Sequence, residues 1–107
     1  MKSHEVFIED ILHAIAAIEG FVNNLSLQEF KEDDKTSSAV IRKLEIIGEA
    51  AKNVPDGIKN KYAGIPWKEM AGMRDKLIHF YFGVDYNLVW QTIKTRLPEI
   101  KKELSES

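Results

Sequence analysis

The chain has no cysteine among its 107 residues, which excludes disulfide bonds and thiolate chemistry. It also lacks a strong charge of one sign. The formal net charge of −2 argues against a generic polyanion binder and leaves room only for a local nucleic-acid patch. No apolar run approaches the roughly 20 residues that cross a bilayer, and no signal peptide is evident. We therefore expect a cytoplasmic protein without a membrane segment.

Strand alternation is absent too, and the apolar residues recur at helical steps of three and four. Four such runs start at Phe7, Val40, Met70 and Val89, and they end at Leu25, Val54, Phe80 and Leu104. The third helix should begin at Ile65-Pro66-Trp67 and end near Phe82-Gly83. Long amphipathic runs with short connectors predict an all-α fold. We expect an antiparallel up-and-down bundle of four main helices plus short ones, in a single domain over residues 1–107.

Several local signals refine this bundle. Ser26 and Glu29 have capping-box spacing and should open a short helix, with a loop edge over residues 29–34. Asp85 should cap the last helix, and Pro98 should bend or divide it because proline lacks a backbone donor. Gly48 and Gly72 fall inside helices, where glycine costs about 1 kcal/mol relative to alanine. We expect both to mark tight helix crossings.

The segment MRDKLIHFYFGVD, residues 73–85, places reactive side chains among apolar ones. On one continuous helix, Arg74 and Tyr81 would share a face and Asp75 would neighbour His79. Arg74 and His79 would diverge by about 140°, so they would converge on one ligand only in a deformed helix or across two chains. This geometry favours a symmetric dimer with the site at its interface.

The residue types in this segment suit phosphate chemistry. Arginine offers a planar, permanently charged fork to phosphate oxygens, and histidine exchanges a proton near neutral pH. Two chains would supply two arginines and two histidines, which could cleave RNA through its 2′-hydroxyl without a metal or cofactor. The opposing interpretation is a buried histidine, a capping arginine and a tyrosine that packs its ring in the core.

Other polar and aromatic residues have simpler interpretations. His4 and His13, nine apart, lack metal-ligand spacing and should be solvated or packed. Glu45 and Glu49 fit a charged helix face better than a cleft, and Trp67 and Trp90 fit core or interface anchoring better than base stacking. Two basic segments, over 59–76 and 91–102, could equally meet RNA phosphates or form solvated helix surfaces.

The motif Arg74-x4-His79 followed by Tyr81 resembles the R-x4-6-H signature of HEPN domains. The stretches AVIRKLEIIGEAAKNVP (39–55), IPWKEMAGMRDKLIHFYFGVD (65–85) and VWQTIKTRLPEIKKEL (89–104) resemble the HepT-type toxins of toxin–antitoxin pairs. The resemblance covers nearly the whole chain. It implies an all-helical homodimer that is a metal-independent endoribonuclease, with Arg74 binding phosphate, His79 catalytic and Asp75 supporting.

The resemblance also implies a protein partner. In the HepT-type pairs a nucleotidyltransferase antitoxin of the MntA type transfers AMP from ATP to the tyrosine of the motif, here Tyr81. Two alternatives remain open at this point. One is a non-catalytic subunit that binds a nucleotide or RNA beside a nucleotidyltransferase, and the other is a purely structural helical dimer.

Overall fold

The structure is a computed structural model that describes residues 4–73, 78–79 and 83–105, with the backbone alone at residues 4–5 and 78–79. The helices are α1 (His4–Val22), α2 (Leu27–Glu32), α3 (Asp34–Asn53), α4 (Asp56–Lys61), α5 (Trp67–Ala71), α6 (Tyr86–Gln91) and α7 (Leu97–Ser105). A π-helical turn, Thr92–Arg96, joins α6 to α7. Strands β1 (Ile78–His79) and β2 (Gly83–Val84) form one short antiparallel pair. The all-α prediction is confirmed.

The core lies where α1 packs along α3. Every apolar residue predicted for α3 is buried, namely Val40, Leu44, Ile47 and Ala51, together with Val54 just beyond its end. In α1, Ile11, Ala14, Ile18 and Val22 are buried as predicted. Helix α5 packs against α3, and α7 contacts α1. Helices α1 and α3 therefore form the frame on which the shorter elements are placed.

The connection between α1 and α3 is defined by local caps. Asn24 adopts a φ of 67°, a left-handed conformation that asparagine tolerates better than most residues. The Ser26 capping box is confirmed: its hydroxyl accepts from the Glu29 N–H at 3.1 Å, and Glu29 Oε1 accepts from the Ser26 N–H at 2.9 Å. Phe30, inside α2, is buried against Tyr86 and Trp90. These contacts dock α2 onto α6.

The loop predicted over residues 29–34 is wrong. Residues 29–32 belong to α2, and Asp34 begins α3. Asp33 serves both helices, since its N–H donates to the Glu29 and Phe30 carbonyls while its carboxylate accepts from the Thr36 N–H at 3.0 Å. One acidic residue therefore joins two helices where an acidic stretch suggested irregular chain.

The third predicted helix is much shorter than expected. Helix α5 ends at Ala71, and Ile78 and His79 lie in a strand, so no single helix runs from Trp67 to Phe82. Pro66 lies one residue before the predicted first turn, at the N-cap of α5. Ile78 pairs with Val84 and His79 with Gly83, whose φ of +78° suits glycine in a chain reversal. A short hairpin thus replaces the last turns of the predicted helix.

The last predicted helix is divided, as the proline suggested. Asp85 caps α6 by accepting from the Leu88 N–H at 3.1 Å, which confirms the predicted cap. The Leu97 N–H donates to the Thr92 carbonyl, five residues earlier, and thereby closes the π-helical turn. Pro98 follows directly and cannot donate to the carbonyl four residues before it. The wider turn therefore lies where the proline removes a regular helical bond.

The two glycine predictions have different outcomes. A Cβ at Gly48 would lie 3.0 Å from the Met70 carbonyl oxygen and 3.7 Å from that of Ala71, so Gly48 marks a tight crossing of α3 and α5. Gly72 does not lie inside a helix. It is the C-cap of α5, and among the described residues a Cβ there would meet only carbonyl oxygens of its own helix, at 3.6 Å or more. The predicted position inside a helix is therefore wrong, and the described residues give no helix crossing at Gly72.

Within the described ranges, no helix is both long and apolar enough to cross a membrane.

Candidate active site

Of the predicted site residues, Arg74, Asp75 and Tyr81 lie outside the described residues. His79 is described by its backbone alone, in strand β1. The structure therefore gives the two ends of the segment that carries the motif. The first end is α5 together with Met73, and the second is the strand pair that leads into α6.

The first end is fixed by buried contacts. The Trp67 indole N–H donates to the Lys59 and Tyr62 carbonyl oxygens, at 3.2 and 3.1 Å, which ties the start of α5 to the end of α4. Trp67 is buried, which confirms its predicted role as a core anchor. Met70 and Met73 are 1% and 5% exposed. Since Arg74 follows Met73 directly, the chain enters the motif from a packed position.

The helix-based geometry of the motif does not hold. The predicted neighbours, Arg74 with Tyr81 and Asp75 with His79, required one helix through all four residues. His79 lies in β1, paired with Gly83, so helical spacing does not relate it to Arg74 or Asp75. The predicted divergence of about 140° between Arg74 and His79 also required one continuous helix. It therefore no longer supports a dimer.

The other histidines and the tryptophans can be placed in part. His13 is exposed on α1, as predicted, and His4 lies where only the backbone is described. Trp90 is half-buried, with its ring 5.3 Å from that of Phe30 and the Lys94 ammonium 4.7 Å from its centroid. These contacts favour the anchoring interpretation over base stacking.

A groove with a volume of about 480 Å³ lies between α1 and α3. It is lined by Phe7, Asp10, Arg42, Glu45, Ile46, Glu49, Ala50 and Asn53. Three of these residues are acidic and one is basic. Glu45 and Glu49 thus do line a groove, contrary to the simpler interpretation of a plain charged face. The α1 residues and Arg42 were missed, although the polar stripe along α3 was visible in the sequence.

Two of the four basic residues in the segment near the carboxyl end, Arg96 and Lys101, form ion pairs. Arg96 lies 3.6 Å from Glu69 of α5 and 3.6 Å from Glu99. The Lys101 ammonium lies 3.0 Å from a carboxylate oxygen of Glu19 on α1. These pairs connect α7 and the π-helical turn to other helices. The interpretation as solvated helix surface is therefore favoured over phosphate binding for this segment.

The carboxyl of Asp33, which lies outside the candidate site, has a pKa below its usual value. Hydrogen bonds from the Thr36 hydroxyl, at 2.6 Å, and from the Thr36 N–H lower the pKa of the Asp33 carboxyl, with a smaller contribution from Lys35. In the same ranges, no three His, Asp or Glu side chains are grouped so that they could hold a metal ion.

The chain matches a protein family and several named proteins over most of its length. Residues 11–107 match the model of a family described as ribonuclease HepT-like. A Thermococcus cleftensis protein named a probable ribonuclease HepT is 52% identical over 100 residues, which are 94% of this chain and 91% of that protein. A candidate RNase of Methanocaldococcus jannaschii is 47% identical across 98% of this chain and 87% of its own length. A candidate RNase of Caldanaerobacter subterraneus is 44% identical, covering 99% and 95%. No solved structure matches.

Proposed function

This chain belongs to the HepT-like ribonuclease family, and from that membership we propose that it is an endoribonuclease. The observation that carries the proposal is the family match over residues 11–107, which includes the whole Arg74-x4-His79-x-Tyr81 motif. The three relatives described above, all named as ribonucleases, are 44 to 52% identical to this chain over nearly its full length. The substrate is RNA, and the site is the segment between α5 and β2.

We assign Arg74 and His79 to the reaction. The ribose 2′-oxygen attacks the adjacent phosphorus, and the bond from phosphorus to the 5′-oxygen breaks. One His79 takes the proton of the 2′-hydroxyl, and a second His79 gives a proton to the leaving 5′-oxygen. Arg74 stabilises the charge that develops on the phosphate oxygens. The products are a 2′,3′-cyclic phosphate and a 5′-hydroxyl, and no metal takes part in this scheme.

A homodimer supplies the two histidines that this scheme requires. A single chain has one Arg74 and one His79, whereas general acid and general base act on opposite sides of the reacting phosphate. We therefore propose that two chains bring their motifs to a common cleft, where Asp75 supports the histidine. This proposal rests on the family resemblance and on the chemistry, because helical spacing no longer argues for it.

We further propose that Tyr81 is the regulatory site of a toxin–antitoxin pair. A nucleotidyltransferase antitoxin would transfer AMP from ATP: the phenol oxygen forms a bond to the α-phosphorus and pyrophosphate leaves. Tyr81 follows His79 by two residues, so their Cα atoms are at most about 7 Å apart. An AMP group there would bring bulk and negative charge next to the catalytic histidine and compete with RNA phosphate.

The test is cleavage of total cellular RNA in excess EDTA by the wild-type protein and by His79→Ala. Intact mass is recorded on each sample to exclude protein that already carries AMP. We expect cleavage by the wild type and none by His79→Ala. The matched control is His13→Ala, which removes an exposed histidine of α1 and should leave the rate unchanged. Absence of cleavage by unmodified wild type would favour the non-catalytic binding subunit.

A further inference from the structure

The groove between α1 and α3 has a charge pattern that does not suit RNA. Asp10, Glu45 and Glu49 contribute three carboxylates to it, and Arg42 contributes one guanidinium. A phosphate backbone would meet net repulsion there. The groove also has an apolar part, since Phe7 and Ile46 are half-buried and Ala50 is 5% exposed. Its occupant should therefore combine apolar surface with a positive charge opposite Glu49 and a negative charge opposite Arg42.

The spacing of charges along α3 identifies one such occupant. Arg42 and Glu49 are both exposed and are seven residues apart, so they lie on one face of α3, about 10 Å apart along its axis. Neither forms an ion pair within the part of the chain that the structure describes. Arg42 and Glu49 thus place opposite charges at the two ends of one stripe. Two such stripes that run in opposite directions place each positive charge opposite a negative one, so the pattern is self-complementary.

We propose that a second copy of this chain packs on this groove with its α3 antiparallel to the first, on a two-fold axis between residues 45 and 46. In this register Arg42 of each copy faces Glu49 of the other, so both ion pairs form at once. Symmetric dimers require this reciprocity, in which residue i contacts j and j contacts i. The proposal rests on the homodimer of the proposed function and adds where the two copies meet.

The other residues that line the groove also fit this two-fold arrangement. Ile46 lies next to the axis and would pack on its own counterpart, with Phe7 and Ala50 extending the apolar contact. Glu45 also lies at the axis, but it is already engaged in an interaction within the chain. Asn53, at the far end of the stripe, would complete a polar rim around the apolar centre.

Charge reversal tests the register. Arg42→Glu alone places two acidic residues opposite each other at both ends of the interface, and Glu49→Arg alone does the same with two basic ones. Each variant should weaken dimerisation roughly tenfold to a hundredfold, as measured by sedimentation velocity over a concentration series. The double variant Arg42→Glu with Glu49→Arg reverses both pairs and should restore the wild-type dimer.

A mixture of the two single variants gives a sharper result. The Arg42→Glu copy has acidic side chains at both positions 42 and 49, and the Glu49→Arg copy has basic side chains at both. Opposite charges therefore meet at both ends of the mixed dimer. The two variants should associate with each other more strongly than either does with itself. Lys102→Glu, an exposed change on α7, is the control for net charge and should leave the dimer unchanged.

The outcomes separate this interface from the proposed activity. A wild-type dimer that both single variants leave intact would overturn the α3 register while the ribonuclease proposal stands. A monomeric wild type would overturn the interface together with the dimeric site. Loss of RNA cleavage with unchanged dimerisation in these variants would also contradict it, since the groove would then act on RNA or on the site directly.

Discussion

Gly48→Ala should reveal how closely α3 and α5 approach ahead of the motif. The new Cβ would lie 3.0 Å from the Met70 carbonyl oxygen, several tenths of an ångström closer than ordinary van der Waals contact. That oxygen also accepts the Gly72 N–H at the C-cap of α5, so a shift would disturb the end of this helix. The Met70 oxygen belongs to the backbone and not to the flexible tip of a side chain, so the backbone of α5 has to move by a few tenths of an ångström.

The magnitude follows from two opposing effects. Alanine in a helix interior is favoured over glycine by about 1 kcal/mol. Overpacking of a fitted contact costs about 1 to 3 kcal/mol. The net change at Gly48 should therefore range from about zero to about 2 kcal/mol of destabilisation. Gly20→Ala is the matched control, because Gly20 is an exposed helical position of α1 where a Cβ would meet no described atom within 4 Å.

Urea denaturation followed by circular dichroism measures both variants. Gly20→Ala should stabilise the protein by about 0.5 to 1 kcal/mol, and Gly48→Ala should be less stable than Gly20→Ala by about 1 to 3 kcal/mol. Equal stabilisation by the two substitutions would refute the close approach of α5 to α3.

Three further changes test other parts of the fold by the same denaturation assay. Asp85→Ala removes the side chain that caps α6 and should cost about 1 kcal/mol, whereas Asp85→Asn should retain most of that stability. Trp67→Phe keeps the ring volume in part but loses the N–H that serves two carbonyls, and should cost about 1 to 2 kcal/mol. Because the pKa of Asp33 is lower in the folded protein than in the unfolded chain, its carboxylate stabilises the fold above the usual carboxyl pKa. This stability is lost as the pH falls through the pKa that Asp33 has in the folded protein. Asp33→Asn should therefore reduce the fall in stability below about pH 4, measured over a pH series.

Each of these changes has a result that contradicts its reasoning. An Asp85→Ala protein as stable as the wild type would show that the cap does not hold α6. A Trp67→Phe protein of unchanged stability would mean that water replaces the indole hydrogen bonds at no cost. An Asp33→Asn protein with the same acid dependence as the wild type would place the responsible carboxylates elsewhere.

Most of the helical frame could be predicted from periodicity and local chemistry. The runs that became α1 and α3, the capping box at Ser26 and the cap at Asp85 all depend on contacts within a few residues. The division of the last helix near Pro98 follows from a missing donor, which is also local. The dual role of Asp33 was missed because an acidic cluster between two helices resembles a loop when its hydrogen bonds are unknown.

The hairpin was missed although the sequence carries a signal for it. Apolar residues occur at every second position from Ile78 to Val84, and this stretch is rich in aromatic and β-branched residues. Met70, Met73 and Leu77 fit a helical period just before it, and the two periods overlap. A positive φ at Gly83 favours the chain reversal, but a single glycine does not reveal its dihedral angle in a sequence.

The candidate site depended on a different kind of information. Arg74, His79 and Tyr81 were singled out by residue type and by family resemblance, and the helical geometry first used to relate them is wrong. The groove between α1 and α3 needed the structure, because its lining comes from two helices that are distant in sequence. Spacing alone cannot show which faces of two helices meet.

Attack by the 2′-oxygen can be tested on one RNA oligonucleotide whose cleavage position has been mapped. The same oligonucleotide is prepared with a 2′-deoxy sugar on the 5′ side of the cut, and both are incubated with unmodified protein in excess EDTA. We expect the all-RNA strand to yield a 2′,3′-cyclic phosphate and a 5′-hydroxyl, identified by mass, and the 2′-deoxy strand to stay intact at that position. Cleavage of the 2′-deoxy strand at the same position would contradict attack by the 2′-oxygen and with it the roles assigned to His79 and Arg74.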